Sequence, residues 1–560
     1  MAHSAAFKIV LFFCLAFAVP FEMYGQPGLQ QLDFKQLKPD GELKERLERN
    51  LERLTSERYL VSKVFRAGKT SSPADWPGDM EGRLLLSLVL EAQSLNVEPV
   101  QLRQIYEAIP RVVNKLGYFG PIENGLINEQ QLSGNAWFLR GLCAHYLWKK
   151  DKTSLDQIRL LIHNLALPTL GHHKDYPIDP FVRKVNVGGA SGTSQGRVGK
   201  WVLSSDTGCD FIFMDAVIQA YSILPSVKLR QLIDEMVTRF LQMDVLAIRA
   251  QTHATLTGIR GLLRYYTITG KPELLKAATH LYLTYRQNAM TVNYENFNWF
   301  QRPEWSEPCA IVDSYMVAFQ LWSFTRNPDF LEDAHHIYYN ALCNVQRANG
   351  GFGLSNCPGP IDNLLQVKED EAWWCCTMRG AEGLVSALKY SYISSERTLI
   401  VTDFKTGEVT FDKGEVVIRQ ESEYPFKGRV VLTVLKSPAE YDINLELFAP
   451  RWSYHHQISL NNKPLSFDHK QGFLTALAKI QTGDSIVLTF EQKFETMPLS
   501  NTYGRPGYFS IHNGPLVLGS EVSDKTGEVS LTPVYHLMDK RVSKGSGFAK
   551  QVLFKLKDEK

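Results

Sequence analysis

The sequence predicts a toroid of stacked helical hairpins followed by a β-sandwich, and three observations carry that reading. Amphipathic segments with helical spacing fill the chain from about Leu32 to Tyr392. One helix, turn, helix unit recurs inside that stretch. After Ser394 the texture changes to short segments that alternate apolar and polar residues between turns.

Length sets the frame for these elements. At 560 residues the chain exceeds what one compact core usually accommodates, so two domains are expected, with borders at 26–394 and 395–560. The 61 basic and 59 acidic residues nearly cancel, and no long run of either sign is present. That pattern argues against a nucleic-acid groove or a polybasic membrane anchor and favours a small or uncharged partner. Residues 1–25 read as a secretory signal: Lys8 precedes the apolar run 9–19, and a polar break ends near Gly25. The expected location is therefore periplasmic or secreted. Cys14 lies within the apolar run and is taken as part of the removed peptide. No later segment reaches the ~20 apolar residues of a membrane span.

The helical half shows clear segments at 42–59, 83–95, 137–149, 211–224 and 229–243, separated by Gly, Pro and Asn clusters. Residues 263–275 reappear as 319–331, with Pro272 matching Pro328 and Ala278 matching Ala334, and Trp148 to Asp151 is a weaker echo. Hairpins with aromatic inner faces must stack on neighbours to bury themselves, and a closed ring does this without leaving ends. The stretch 168–207 is too long for a simple connection and is read as a loop on the rim of that ring. The strands expected beyond it lie at 415–420, 428–434, 442–448 and 485–490, with turns at Asn461-Asn462 and Thr482-Gly483-Asp484. Their hydrophobic alternation needs no catalytic explanation and assigns them support.

Chemistry concentrates between Glu295 and Cys376. Pro308 biases Glu307 towards an extended backbone, so the side chains of Glu307 and Cys309 can converge. Neighbouring Cys375 and Cys376 add two sulfurs. One carboxylate and three thiolates form a ligand set that zinc accepts. Two alternatives stay open at this point, since cysteines are also common inert core residues and adjacent cysteines can oxidise, although a disulfide between neighbours is strained. Eight cysteines less Cys14 leave seven, an odd number in a chain too large to need disulfide staples. Cys143, Cys209, Cys343 and Cys357 are assigned to structure.

The motifs Asp75-Trp-Pro-Gly-Asp-Met-Glu-Gly-Arg83, Thr252-His-Ala254, Glu307-Pro-Cys309, Trp374-Cys-Cys376, Tyr424-Pro-Phe-Lys-Gly428, Leu447-Phe-Ala-Pro-Arg-Trp452 and Asn513-Gly-Pro-Leu-Val517 together resemble glycoside hydrolase family 127, the β-L-arabinofuranosidase-like enzymes. The distant Glu-x-Cys and Cys-Cys pair is the specific part of the likeness. The resemblance implies an (α/α)6 barrel followed by a C-terminal β-sandwich. It also implies a Zn2+ held by Glu307, Cys309, Cys375 and Cys376, with Cys375 as nucleophile and Glu295 as acid/base. The substrate it implies is a plant cell-wall oligosaccharide of the pectic or arabinan type, cleaved by an exo-acting, retaining enzyme; a homodimer is an assembly the sequence leaves open. This chain departs from the pattern in three places. Thr377-Met378-Arg379 replaces a proline-rich turn, the 295–307 loop is short, and Asn135 stands where a sugar-binding histidine is expected.

His253, Trp76, Asn135 and Trp374 are the candidate sugar-binding residues, with Glu81 and Trp299 beside them, while His172-His173 and His335-His336 are assigned to surface or core. Two competing readings belong to other classes. A polysaccharide lyase would use a Tyr or His base and no thiolate cluster, and a non-catalytic glycan-binding protein would keep the metal as a purely structural site.

Overall fold

The computed structural model describes residues 30–66, 76–183, 192–360, 362–499, 506–521, 530–538 and 549–555. The expected signal segment and Asp75 lie outside the described residues, as does part of the 168–207 stretch.

Among the described residues twelve helices build the ring. In chain order they are α1 (Gly41–Leu54), α2 (Asp79–Leu95), α3 (Val100–Val112), α4 (Glu129–Lys149), α5 (Lys152–Leu161), α6 (Asp210–Ile223), α7 (Val227–Leu241), α8 (Thr252–Thr269), α9 (Pro272–Asn288), α10 (Pro308–Thr325), α11 (Pro328–Ile337) and α12 (Cys376–Lys389). The even-numbered helices pack side by side in the order α2, α4, α6, α8, α10, α12, and α12 returns to α2, which closes the inner ring. The odd-numbered helices pack outside, with α1 covering α12 and α2. This is the expected (α/α)6 barrel. Burial follows from it: α10 is buried at almost every position from Pro308 to Ser323, as an inner helix must be, whereas outer α7 buries only a stripe at Leu229, Leu232, Ile233, Met236, Val237 and Phe240.

The recurring unit is the turn from an inner to an outer helix. Helices α4, α8 and α10 each end on a left-handed residue, Lys150 (φ 54°), Gly270 (φ 66°) and Arg326 (φ 57°). The next helix then opens almost at once, capped by Asp151 and Asn327 in two of the three turns. Pro272 and Pro328 sit at helical starts where their missing N–H costs nothing.

Two sheets, of six and seven strands, form the β-sandwich. One contains Thr398–Val401, Tyr441–Phe448 and Phe473–Ile480; the other contains Gly407–Phe411, Val416–Ser422, Gly428–Lys436, Ser453–Leu460 and Ser485–Gln492. Their strands alternate buried and exposed positions, as in Gly428–Lys436. The borders are interleaved more than the sequence suggests. Gln30–Gln31 and Leu37–Pro39, ahead of the barrel, pair with Tyr392–Ser395 and Gly407–Phe411. Leu354–Asn356 and Leu364–Glu369, from within the barrel stretch, join a third sheet with Tyr508–Asn513 and Leu516–Glu521. Helix α11 seats the barrel on the strands, since Glu332 pairs with Arg451 at 2.6 Å and His335 Nε2 lies 2.8 Å from the Thr402 carbonyl. His335 is therefore a core residue where barrel meets strands, His336 beside it is partly buried against the Pro515 carbonyl, and His173 is buried against Asp210 at 2.9 Å.

Gly82 marks where α2 and α4 approach most closely: a Cβ there would stand 2.0 Å from the Phe138 nitrogen and 2.3 Å from the Trp137 carbonyl carbon. Backbone cannot yield as a side-chain tip can. Gly82→Ala is expected to lower the melting temperature by several degrees, or to abolish soluble expression, because overpacking of this kind costs about 1–3 kcal/mol or more. Calorimetry of the variant beside the parent checks this; an unchanged melting temperature would show that the two helices can separate freely.

Candidate active site

The starts of the inner helices gather at one end of the ring and surround a cavity of about 820 Å³. Its wall includes Trp76, Asp79, Glu81 and Arg83 from the start of α2, Asp206 ahead of α6, Trp305 and Glu307 ahead of α10, and Trp373 to Cys376 at the start of α12. Glu307 is the N-cap of α10 and Cys375 the N-cap of α12. Helix N-termini carry partial positive charge and free N–H groups, so this end of the barrel favours anions and thiolates.

The local chain explains how the ligands arrive. Pro308 holds Glu307 extended (φ −125°, ψ 122°) and begins α10, so Cys309 lies in the first turn. On the other side, the N–H groups of Cys375, Cys376 and Thr377 all converge on the Ala372 carbonyl, which makes a tight turn before α12. Glu371 anchors that turn by accepting from Arg53, Tyr59 and Thr377. The result is a cluster in which one oxygen of Glu307 and the sulfurs of Cys309, Cys375 and Cys376 all lie within 4.8 Å of one another.

Cys309 Sγ lies 3.6 Å from Cys376 Sγ, and Cys375 Sγ lies 3.2 Å from Cys376 Sγ. The seven described cysteines are all free thiols. Burial pushes the thiols of Cys309 and Cys376 well above their ordinary range, Cys375 is raised first by its contact with Cys309, and burial pushes Glu307 up to about 7. Four acidic groups this close cannot all ionise unless a cation joins them. The donor set fits zinc, whose bonds to sulfur of about 2.3 Å imply sulfur separations of roughly 3.8 Å in a tetrahedron.

Arg83 and His253 complete the surroundings. Arg83 donates from Nη1 to Cys309 Sγ at 3.4 Å while its other nitrogens hold Asp79 at 2.7 and 3.0 Å. His253 stacks on Trp137, with Nδ1 3.8 Å from Glu307 and Nε2 3.3 Å from Asp313. Burial keeps its imidazole well below the usual range and so uncharged.

The other predicted residues divide by depth. Trp76 and Trp374 line the cavity, and Trp374 is 44% exposed. His253 is buried beneath Glu307 rather than on the wall. Asn135 is fully buried, donates to the carbonyls of Pro77, Phe119 and Gln131, and accepts from the Phe119 N–H, so it ties the loops behind Trp76. Glu295 lies behind the wall, fully buried. Its carboxylate accepts from Asn293 at 2.9 Å, Asn344 at 3.0 Å, Cys357 at 3.3 Å and also from Ser306, while burial pushes the carboxyl up. Glu81 is on the wall. Trp299 is buried and does not reach it. Sequence reasoning missed Arg83 as a thiolate partner, although its spacing of four from Asp79 on a helix was a signal. It also missed Asp206, Trp305 and Trp373, for which no short-range signal exists.

The fold and the cluster together define a protein whose helical barrel, set against β-sheets, presents three thiols and a carboxyl that could hold a metal ion. Comparison with known proteins finds one family match in the sheets and several solved structures of the same fold. Residues 398–492 match the family model described as the middle domain of GH127 β-L-arabinofuranosidase. The whole chain is similar to the GH127 β-arabinofuranosidase BT3674, with a TM-score of 0.70 at 13% identity over 95% of this chain and 98% of that one. A GH127 β-L-arabinofuranosidase from Geobacillus stearothermophilus T6 gives 0.59 at 15% identity over 89% and 87%, and a protein named only as a glycoside hydrolase gives 0.65 at 15% over 90% and 86%. At these identities the likeness to solved structures is one of fold. No curated protein matches the sequence. The resemblance to family 127 drawn from the motifs is borne out by the family match in the sheets and by the shared architecture. Among the described residues no helix is long and apolar enough to cross a membrane.

Protein purified from zinc-supplied medium is expected to carry about one zinc per chain, and Cys309→Ala to lose most of it, by elemental analysis. Removal of metal should expose three further thiols to a thiol reagent under native conditions. Metal-free parent protein that is equally stable and active would show the cluster to be inert core.

Proposed function

We propose that the protein is a retaining glycoside hydrolase of the β-L-arabinofuranosidase kind, acting on plant cell-wall glycans, with zinc held by Glu307, Cys309, Cys375 and Cys376. The observation that carries this reading is the cluster itself at the cavity wall, with Cys375 partly exposed while Cys309 and Cys376 are buried. Zinc, when bound there, supplies the positive charge that keeps the sulfurs as thiolates.

Cys375 Sγ then attacks the anomeric carbon, a carbon–sulfur bond forms, and the bond to the leaving oxygen breaks with its electron pair. A carboxylic acid must protonate that oxygen, and the same group, now a carboxylate, takes a proton from the water that hydrolyses the glycosyl thioether. Two inversions at carbon give retention. The resemblance assigns the proton to Glu295, and burial keeps that carboxyl raised, as a general acid requires. To reach substrate it must exchange its bonds to Ser306 and Cys357 for the leaving oxygen. Glu81 and Asp206, already on the wall, are the competing donors.

Kinetics separate them. Glu295→Gln is expected to lower kcat by about 10²- to 10⁴-fold on a poor leaving group and much less on a nitrophenol. Equal losses on both, or that pattern in Glu81→Gln or Asp206→Asn instead, would remove Glu295 from the role. For the nucleophile, a trapped glycosyl intermediate located by peptide mass spectrometry is expected on Cys375. A label on Cys376, Cys309 or a carboxylate would overturn the assignment, and an unsaturated product absorbing in the ultraviolet would replace hydrolysis by a lyase reaction.

A further inference from the structure

Of the three clustered sulfurs, one is held from outside the cluster. Among the described residues Arg83 is the one side chain beyond the four that hydrogen-bonds to any of these sulfurs, donating from Nη1 to Cys309 Sγ at 3.4 Å. That donor has little freedom. Its Nε and Nη2 grip the two Asp79 oxygens at 2.7 and 3.0 Å, a forked pair along one turn of α2, and its guanidinium carbon lies 4.0 Å from the centre of the Trp137 ring. Fork and face are both taken and the side chain is buried, so the remaining nitrogen is aimed, and Cys309 is where it points.

Cys375 and Cys376 are placed differently. Both line the cavity, and the Cys376 sulfur stands 3.2 Å from that of Cys375 and 3.6 Å from that of Cys309. Cys309 is fully buried in the first turn of α10. Through it Arg83 ties the start of α10 to α2, a helix that is not its neighbour in the inner ring.

The reaction proposed above gives this tie a task. Once Cys375 Sγ is bonded to the anomeric carbon it is a neutral thioether, outside the thiolate, imidazole and carboxylate set that zinc accepts. Glu307, Cys309 and Cys376 are then the remaining donors until water frees Cys375. Three ligands hold an ion more weakly than four, so metal is lost most easily at this stage. A hydrogen bond to a ligating atom fixes its orientation, as outer partners commonly do at metal sites.

We infer that Arg83, held by Asp79, is a positioning residue that keeps Cys309 in place as a spectator ligand while Cys375 is bonded to sugar. The inference rests on the functional reading above and gives the two sulfurs different tasks. Cys375 is surrendered once per turnover, whereas Cys309 stays.

The test reproduces that stage without a sugar. Iodoacetamide converts the Cys375 thiolate into a thioether, a carbon–sulfur bond forming as iodide leaves, and peptide mass spectrometry identifies the labelled residue. Zinc content, and zinc release to a chromogenic chelator, are measured before and after labelling in the full-length parent, Arg83→Lys and Asp79→Asn proteins. Arg83→Lys keeps the charge and removes the fork; Asp79→Asn keeps the guanidinium and loosens it. Before labelling all three are expected to hold about one zinc, because four ligands are present. After labelling the parent is expected to retain it and both variants to release it about 10- to 100-fold faster than the parent, the usual size of the effect when a ligand loses its outer partner. A purely structural role for Arg83 would cost zinc before labelling. That result in both variants, or equal retention by all three proteins after labelling, would overturn the inference and leave the hydrolase reading standing. Parent protein that holds no zinc at the outset, or that is labelled on Cys309 in place of Cys375, would sink that reading's metal or its nucleophile and this inference with it.

Discussion

A lattice of buried charges on the barrel axis is the constraint on which the site depends. Asp313 of α10 accepts from Arg260 of α8 and Arg379 of α12, both at 2.6 Å, and from Thr257 at 2.8 Å. Glu382 of α12 takes Arg140 of α4 and Arg379, and Asp215 of α6 takes Arg264 at 2.9 Å. Trp137 packs against this lattice, with the guanidiniums of Arg83, Arg140 and Arg379 at 4.0, 5.0 and 4.6 Å from its ring. Taking such groups out of water is costly, and only near-complete pairing offsets it. The lattice therefore tolerates one rotation and height for each inner helix, and that shared register brings the starts of α10 and α12 together with Glu307, Cys309, Cys375 and Cys376 in reach of one ion.

The lattice also sets the electrostatics above it. Arg140, Arg260, Arg264 and Arg379 face Asp215, Asp313 and Glu382, one cation in excess; burial lowers Arg140 and Arg379 only to about 10, so both stay charged at neutral pH. Asp313 is held well below the carboxylate range by its guanidiniums. With the helix N-termini and Arg83, this gives the thiolate cluster a positive floor. A cation held by the cluster would thus not have to neutralise four anions alone.

Much of this was legible in the sequence and some was not, for physical reasons. The repeat at 263–275 and 319–331 and the Pro272 and Pro328 starts report local turn geometry, which sequence encodes directly, so the ring was readable. The convergence of Glu307, Cys309, Cys375 and Cys376 was readable because Pro308 fixes the backbone between Glu307 and Cys309 and because Cys375 and Cys376 are adjacent. Depth was not readable. Asn135, His253 and Glu295 sit in motifs that suggest contact with substrate, yet each lies one layer behind the wall, because what a side chain faces depends on how six helices meet. The same holds for the strands Gln30–Gln31 and Leu37–Pro39, whose partners are some 360 residues away in sequence. Arg83, Asp206 and Trp305 reach the site from three separate segments, a convergence that no local window contains.

The turn at Ala372 joins these levels. A single carbonyl gathers three successive N–H groups, and the tightness of that turn sends Trp373 and Trp374 to solvent and Cys375 and Cys376 to the thiol cluster within four residues. Glu371 ties it to α1 through Arg53 and to α12 through Thr377. Helix α1 is the piece that closes the ring, and it is preceded by strands that belong to the sheets. The segment that carries Cys375 is consequently braced by α1 and tied to the ring rather than left as a free loop. Rigidity of this kind is what the in-line attack by sulfur proposed above would require, since reacting atoms must be held near contact distance before the bond to the leaving oxygen breaks.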